Sequence, residues 1–177
     1  MNEDRCPYER LIRPIEDRMI RSIWRIVRDP DDTRDALQEA LSIIWKRIDR
    51  VQEHINPAAL ILKICVDAAY DALRRKMRRL DHEENDAAIP EIPDRFPLAL
   101  ERLMGEDMEK EIMEAIAQLP RNQASALLMR IVQEHSYADI AQALGCSEAT
   151  ARIHASRARA KLSLLLSHLD PIPARSG

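Results

Sequence analysis

The chain has 177 residues, 46% hydrophobic and 32% charged, so it can build buried cores and is not a disordered polymer. Three glycines and 3% aromatic residues are too few for the turns and strands of a β-sandwich or barrel, and the rest of the composition favours helices. The net charge of −3 argues against a nucleic-acid binder until the chain is divided: residues 1–80 carry 17 Lys+Arg against 14 Asp+Glu, residues 81–118 carry 3 against 12, and residues 119–177 carry 7 against 4.

The first ten residues are charged and lack the apolar core of a signal peptide, so a cytoplasmic protein is expected. No apolar run approaches the roughly 20 residues of a membrane span, so no membrane insertion is expected. Residues 14–27 place Ile15, Met19, Ile23, Trp24, Ile26 and Val27 near a 3.6-residue period, predicting a helix. The run 29–32 breaks it, and Asp31 or Asp32 can cap a second helix. In that helix Ala36, Leu37, Ala40, Leu41, Ile44, Trp45 and Ile48 form an apolar stripe, with Asp35, Gln38, Glu39, Ser42 and Arg47 opposite. Asn56 and Pro57 read as the N-cap and first turn of a third helix, with Leu60, Ile61, Ile64, Ala68 and Leu73 inward. That helix ends in Arg74, Arg75, Lys76, Arg78 and Arg79. Five cations in six residues suit a helix C-terminus and also make a phosphate-binding candidate.

The acidic middle holds Pro90, Pro93 and Pro97 and reads as a linker, either a solvated tether or a mask for basic surfaces. Beyond it, a helix is predicted over 121–133, with Ala124, Leu127, Leu128 and Ile131 inward. Ser136 then caps a short helix, with Asp139 reaching back from the third position. Ile140, Ala141 and Leu144 face inward, and Gly145 closes the helix in a left-handed turn. Ser147 caps a last helix running to about 166–168. Two capped helices around a glycine turn, with small Ala141 where they cross, make a helix-turn-helix, whose second helix offers its N-terminal residues to a major groove. Its outward positions are Glu148, Ala149, Arg152, Ile153, Ser156 and Arg157, extended by Arg159 and Lys161. The expected fold is all-α: two small helical domains (1–80 and 112–177) joined by an acidic linker (81–111).

Catalysis finds no foothold. The sequence has no phosphate-binding glycine loop, no nucleophile elbow and no metal-ligand spacing, and Cys6, Cys65 and Cys146 are isolated. A binding protein without catalytic residues, metal or cofactor is expected.

The two halves together resemble the extracytoplasmic-function (ECF) type of bacterial RNA polymerase sigma factor, which keeps only regions 2 and 4. Asp35-Ala36-Leu37-Gln38-Glu39 with downstream Trp45 is similar to the region 2.2 pattern, and Ala72-Leu73-Arg74-Arg75 to the end of region 2.4. Leu119-Pro120, the Ser136 to Gly145 stretch and Thr150 through Leu162 resemble region 4. The resemblance implies that Asp35, Gln38 and Glu39 dock on the polymerase β′ clamp helices. It places Lys63, Arg74, Arg75 and Arg78, with the loop before residue 57, at the minus-ten element. Ser147, Glu148, Arg152, Ile153, Ser156, Arg157 and Arg159 fall at the minus-thirty-five duplex. The implied partners are core RNA polymerase (β and β′ subunits), promoter DNA and an anti-sigma factor. Asp67 stands where an Asn is common, Ala151 where a Val is usual, and Ala58-Ala59-Leu60 where a Trp often occurs. The alternative is a sigma-shaped decoy that occupies an anti-sigma factor or the polymerase without opening DNA.

Overall fold

The computed structural model describes residues 6–83 and 106–169, and the described residues hold eight α-helices and no strand. Short helical turns over Tyr8–Ile12 and Arg13–Ile15 lead into α1 (Glu16–Val27). Then come α2 (Pro30–Lys46), α3 (Ile48–Gln52), α4 (Pro57–Glu83), α5 (Glu106–Ala117), α6 (Arg121–Ile131), α7 (Tyr137–Leu144) and α8 (Glu148–Leu165). Helix α5 begins inside the segment expected to be linker; the linker prolines lie outside the described residues.

Three local expectations are corrected. Helix α2 is capped by Asp29, not Asp31 or Asp32: its carboxylate accepts from the Asp31 and Asp32 backbone N–H groups at 3.0 and 2.9 Å. Pro30 dictates this, because proline belongs at the first helical position and pushes the residue before it into extended backbone, where a cap sits. Trp45, 44% exposed near the end of α2, and Ile131, 60% exposed as the last residue of α6, do not enter the core. The third helix starts as expected, with the Asn56 side chain accepting from Ala59 N–H at 3.1 Å.

Helix α4 is the axis of the fold. It packs against α1, α2 and α3 and also against α5, α6 and α7. The expected stripe of α4 is wider in the structure, for Leu62, Cys65, Val66, Ala69 and Tyr70 are also fully buried. A helix buried around most of its circumference needs neighbours on most sides, and here they come from both halves of the chain. Their buried residues form one continuous cluster. Deep inside it, burial pushes the Cys65 thiol up to about 12, so it is an inert apolar filler. None of the described helices is long and apolar enough to cross a membrane.

Candidate nucleic-acid interface

The helix-turn-helix forms as its caps dictate. The Ser136 hydroxyl accepts from Asp139 N–H at 3.1 Å while the Asp139 carboxylate accepts from Ser136 N–H at 3.3 Å. The Ser136 hydroxyl beside it holds the Asp139 carboxyl below its ordinary value. Gly145 takes φ 66°, a left-handed conformation that costs a side-chain-bearing residue about 1 kcal/mol or more. Ser147 then caps α8 through Thr150 N–H at 3.1 Å. Ala151, Ala155 and Ala158 are fully buried and let α8 lie close on α6 and α7. That leaves Ser147, Glu148, Arg152, Ile153, Ser156, Arg157 and Arg159 exposed together along the outer side of α8. Arginines suit guanine edges and phosphates there, and the half-exposed Ile153 suits a thymine methyl.

Sequence reasoning missed the aromatic residue at the centre of this surface. Tyr137, first residue of α7, has the Arg152 guanidinium 4.7 Å from its ring centroid and the Arg130 guanidinium 5.5 Å away. Its hydroxyl accepts from Arg159 at 3.3 Å. Arg152 also pairs with Glu148 at 2.5 Å, and Arg130 donates to the His135 carbonyl at 3.0 Å.

The candidates on α4 and α2 are arranged differently. Arg74 and Arg78 are exposed, and the Arg74 guanidinium lies 5.8 Å from the Tyr70 ring. Arg75 instead donates to Glu39 at 3.1 Å, and Lys76 faces Asp32 at 3.7 Å. So one residue expected at DNA and one expected at polymerase are partners across α2 and α4. Asp35 and Gln38 remain exposed on α2. Lys63, expected at DNA, has its side chain only 23% exposed and pairs with Asp67 at 2.6 Å.

Asp67 lies on a polar seam between the two halves. Its carboxylate accepts from the Ser125 hydroxyl at 2.7 Å, and Arg121 approaches it at 3.8 Å while bonding Asp71 at 2.5 Å. Beside them the buried Tyr70 hydroxyl donates to the Leu119 carbonyl, with the Ala117 carbonyl 3.3 Å away. Burial raises the Tyr70 pKa, so it stays a donor. At the other end of α4, the Asn56 side chain donates to Asp139 at 2.9 Å. The His54 ring bridges the two halves: Nδ1 lies 3.0 Å from the Asn56 backbone nitrogen and 2.9 Å from the Asn56 carbonyl oxygen, and Nε2 lies 3.1 Å from the Gln142 carbonyl oxygen. Gln133 donates to the Leu62 carbonyl at 3.2 Å and Arg25 to the Val132 carbonyl at 2.8 Å. Thus α6 bonds to the side of α4 that carries Asp67 and Asp71, and α7 bonds to the loop before α4, whereas the outer side of α8 stays open.

Residues 11–79 match the profile of sigma-70 region 2, and residues 109–162 match that of sigma-70 region 4. The ECF RNA polymerase sigma factor SigM of Mycobacterium tuberculosis is 28% identical over 169 residues, covering 94% of this chain and 81% of the relative. The RNA polymerase sigma-E factor of Streptomyces coelicolor is 26% identical over 168 residues, covering 92% and 89%. Among solved structures, the sigma factor RpoE of Bartonella quintana, in complex with the anti-sigma factor NepR, has the same fold with a TM-score of 0.54 at 21% identity, covering 90% of this chain and 96% of that one.

Proposed function

The chain belongs to the ECF branch of the sigma-70 family of RNA polymerase sigma factors, and from that premise we propose how its surfaces divide the work of directing core polymerase to promoters. The exposed Asp35 and Gln38 side of α2 docks on the β′ clamp helices. Helix α4, with the loop before it and the basic residues Arg74 and Arg78, takes the minus-ten element; Lys63 joins it once freed from Asp67. The outer side of α8 reads the minus-thirty-five element as duplex. The polymerase supplies the chemistry, and the chain works as a binding protein in the cytoplasm. A partner of the kind present in the Bartonella complex, an anti-sigma factor, holds this chain in reserve.

Distance supports an opening step. Elements centred at positions −10 and −35 lie about 25 base pairs apart, about 85 Å at ~3.4 Å per base pair. A compact chain of 177 residues is only about 40 Å across. The seam along α4 therefore has to part before both elements are held, and polymerase is the body that sets their separation. The observation that carries the reading is the capped helix-turn-helix with its α8 side exposed, joined in one chain to a region 2 helix that ends in an arginine cluster. Run-off transcription with purified core polymerase and genomic promoter fragments tests it. Transcripts that depend on this chain are expected; core binding without a transcript from any fragment would establish the decoy instead.

A further inference from the structure

The geometry points to Tyr137 as the positioning residue of the duplex-reading surface: its ring gathers the Arg130 and Arg152 guanidinia from two helices into one phosphate- and base-facing group, which adds Arg130 as a DNA contact. This rests on the reading of α8 as the duplex reader. Arg130 lies on α6 and Arg152 on α8, and neither helix alone brings them together. Their ring-centroid distances of 5.5 and 4.7 Å are within the range in which a guanidinium is attracted to an aromatic face. The complete capping box sets the backbone at Tyr137, the first residue of α7, and its partly buried ring packs against the core. Its hydroxyl holds a third cation, Arg159, at 3.3 Å. Long arginine side chains lose rotamer freedom when they bind. A ring that already restricts two of them lowers that loss at each encounter with DNA. Tyr137 thus acts through the arginines and touches no base itself.

The test uses the full chain and a short duplex that the wild-type chain selects from a random-sequence pool, read by fluorescence anisotropy. Tyr137→Leu, which keeps an apolar residue but removes both ring contacts, is expected to weaken binding by about fivefold to thirtyfold. Tyr137→Phe keeps the ring and loses only the long Arg159 contact, so it should bind within about threefold of wild type. In an Arg130→Ala, Arg152→Ala background, adding Tyr137→Leu should cost no more than about threefold, because of the side chains it positions only Arg159, on its long contact, remains. A Tyr137→Leu variant that binds like wild type overturns the proposal. So does a Tyr137→Phe variant as weak as the leucine one, or a leucine effect undiminished in the double-alanine background, which would mark a merely structural role. If the wild-type chain enriches no duplex at all, the reading of α8 itself falls, and the proposal with it.

Discussion

Reversing Arg121 should make the protein less stable and yet a tighter ligand of core polymerase. Arg121 bonds Asp71 at 2.5 Å and lies 3.8 Å from Asp67, so it ties α6 to α4 across the seam. Its hydrogen bonds with Asp71 raise its own pKa, so it remains a cation throughout the working range. Unit charges near 4 Å interact by about 1 kcal/mol in bulk water and about 4 kcal/mol in a partly screened site. Arg121 and Asp71 side chains are 49% and 29% exposed, which puts the pair near the lower figure. Arg121→Ala then removes about 1 kcal/mol, and Arg121→Glu, which adds repulsion, about 2 kcal/mol. Asp67 is not stranded by either change, because Lys63 and Ser125 still hold it. If only the opened chain binds polymerase, the apparent dissociation constant is the intrinsic one divided by the open fraction. Weakening the seam by these amounts raises that fraction about fivefold and about thirtyfold, until half of the chains are open. Tyr70→Phe reaches the same end from the buried side, removing the hydroxyl that bonds the Leu119 carbonyl, for about 1 kcal/mol or more. Anisotropy titration of labelled chain with core polymerase, paired with urea unfolding, should show affinity rising as stability falls, in the order Arg121→Glu above Arg121→Ala. Variants that lose stability but bind core no tighter than wild type would refute the reasoning: the closed seam would then not compete with the polymerase-bound form.

Asp35→Arg, on the exposed side of α2, should weaken core binding by about tenfold while leaving unfolding within about 0.5 kcal/mol of wild type; unchanged affinity in a pull-down removes the docking surface. Burial, with the neighbouring Arg18 charge, lowers the His135 pKa from its ordinary value near 6.5, and the nearby Asp139 only partly opposes this. The unfolded chain therefore binds the extra proton first, so stability is complete above about pH 6.5 and falls as pH drops toward the folded-state value. The slope is at most about 1.4 kcal/mol per pH unit. His135→Gln should flatten that slope in unfolding curves between pH 8 and 5, and an unaltered slope would assign it to other groups. Nothing lies within 4 Å of a Cβ added at Gly145, so Gly145→Ala should cost only the left-handed backbone strain, about 1 kcal/mol, and Gly145→Asn less. A larger loss in urea unfolding would mean that the turn is crowded.

Much of this fold is written in local rules, and those parts are legible in the sequence. The Ser136–Asp139 capping box, the Gly145 turn, the Ser147 cap and the Asn56-Pro57 start each depend on a few adjacent residues, and the structure has them as read. The Asp29 cap escapes that reading although its signal is equally local, because three further aspartates stand within the next six residues and only the placement of Pro30 selects among them. Trp45 and Ile131 fit their periods but stand at helix ends, where no neighbour reaches far enough to cover them. The exposed side of α8 is set directly by its buried alanines, since three small residues at positions 151, 155 and 158 leave one direction for everything else.

The seam is not legible from any window, yet α4 advertises it. Of the expected stripe, positions 60, 61, 64 and 68 lie on one side of the helix and Leu73 on another. Leu62, Cys65, Val66, Ala69 and Tyr70 lie outside that stripe and are buried as well, so α4 needs neighbours on more than one side, and they come from both halves of the chain. The same demand explains Asp67. Read along the sequence, it is an anion at a position where DNA is expected. In the fold it is matched by Lys63 one turn away and by Ser125 and Arg121 from the other half. An Asn there could accept the Ser125 hydroxyl bond but would carry no charge to pair with Lys63 or attract Arg121. The substitution that looks unfavourable for binding promoter is therefore favourable for closing the chain. Its two effects act on different states of one molecule: Asp67 strengthens the form in which α4 is covered, and once Ser125 and Arg121 have moved away its remaining partner is Lys63 on the same helix, for which any phosphate has to compete.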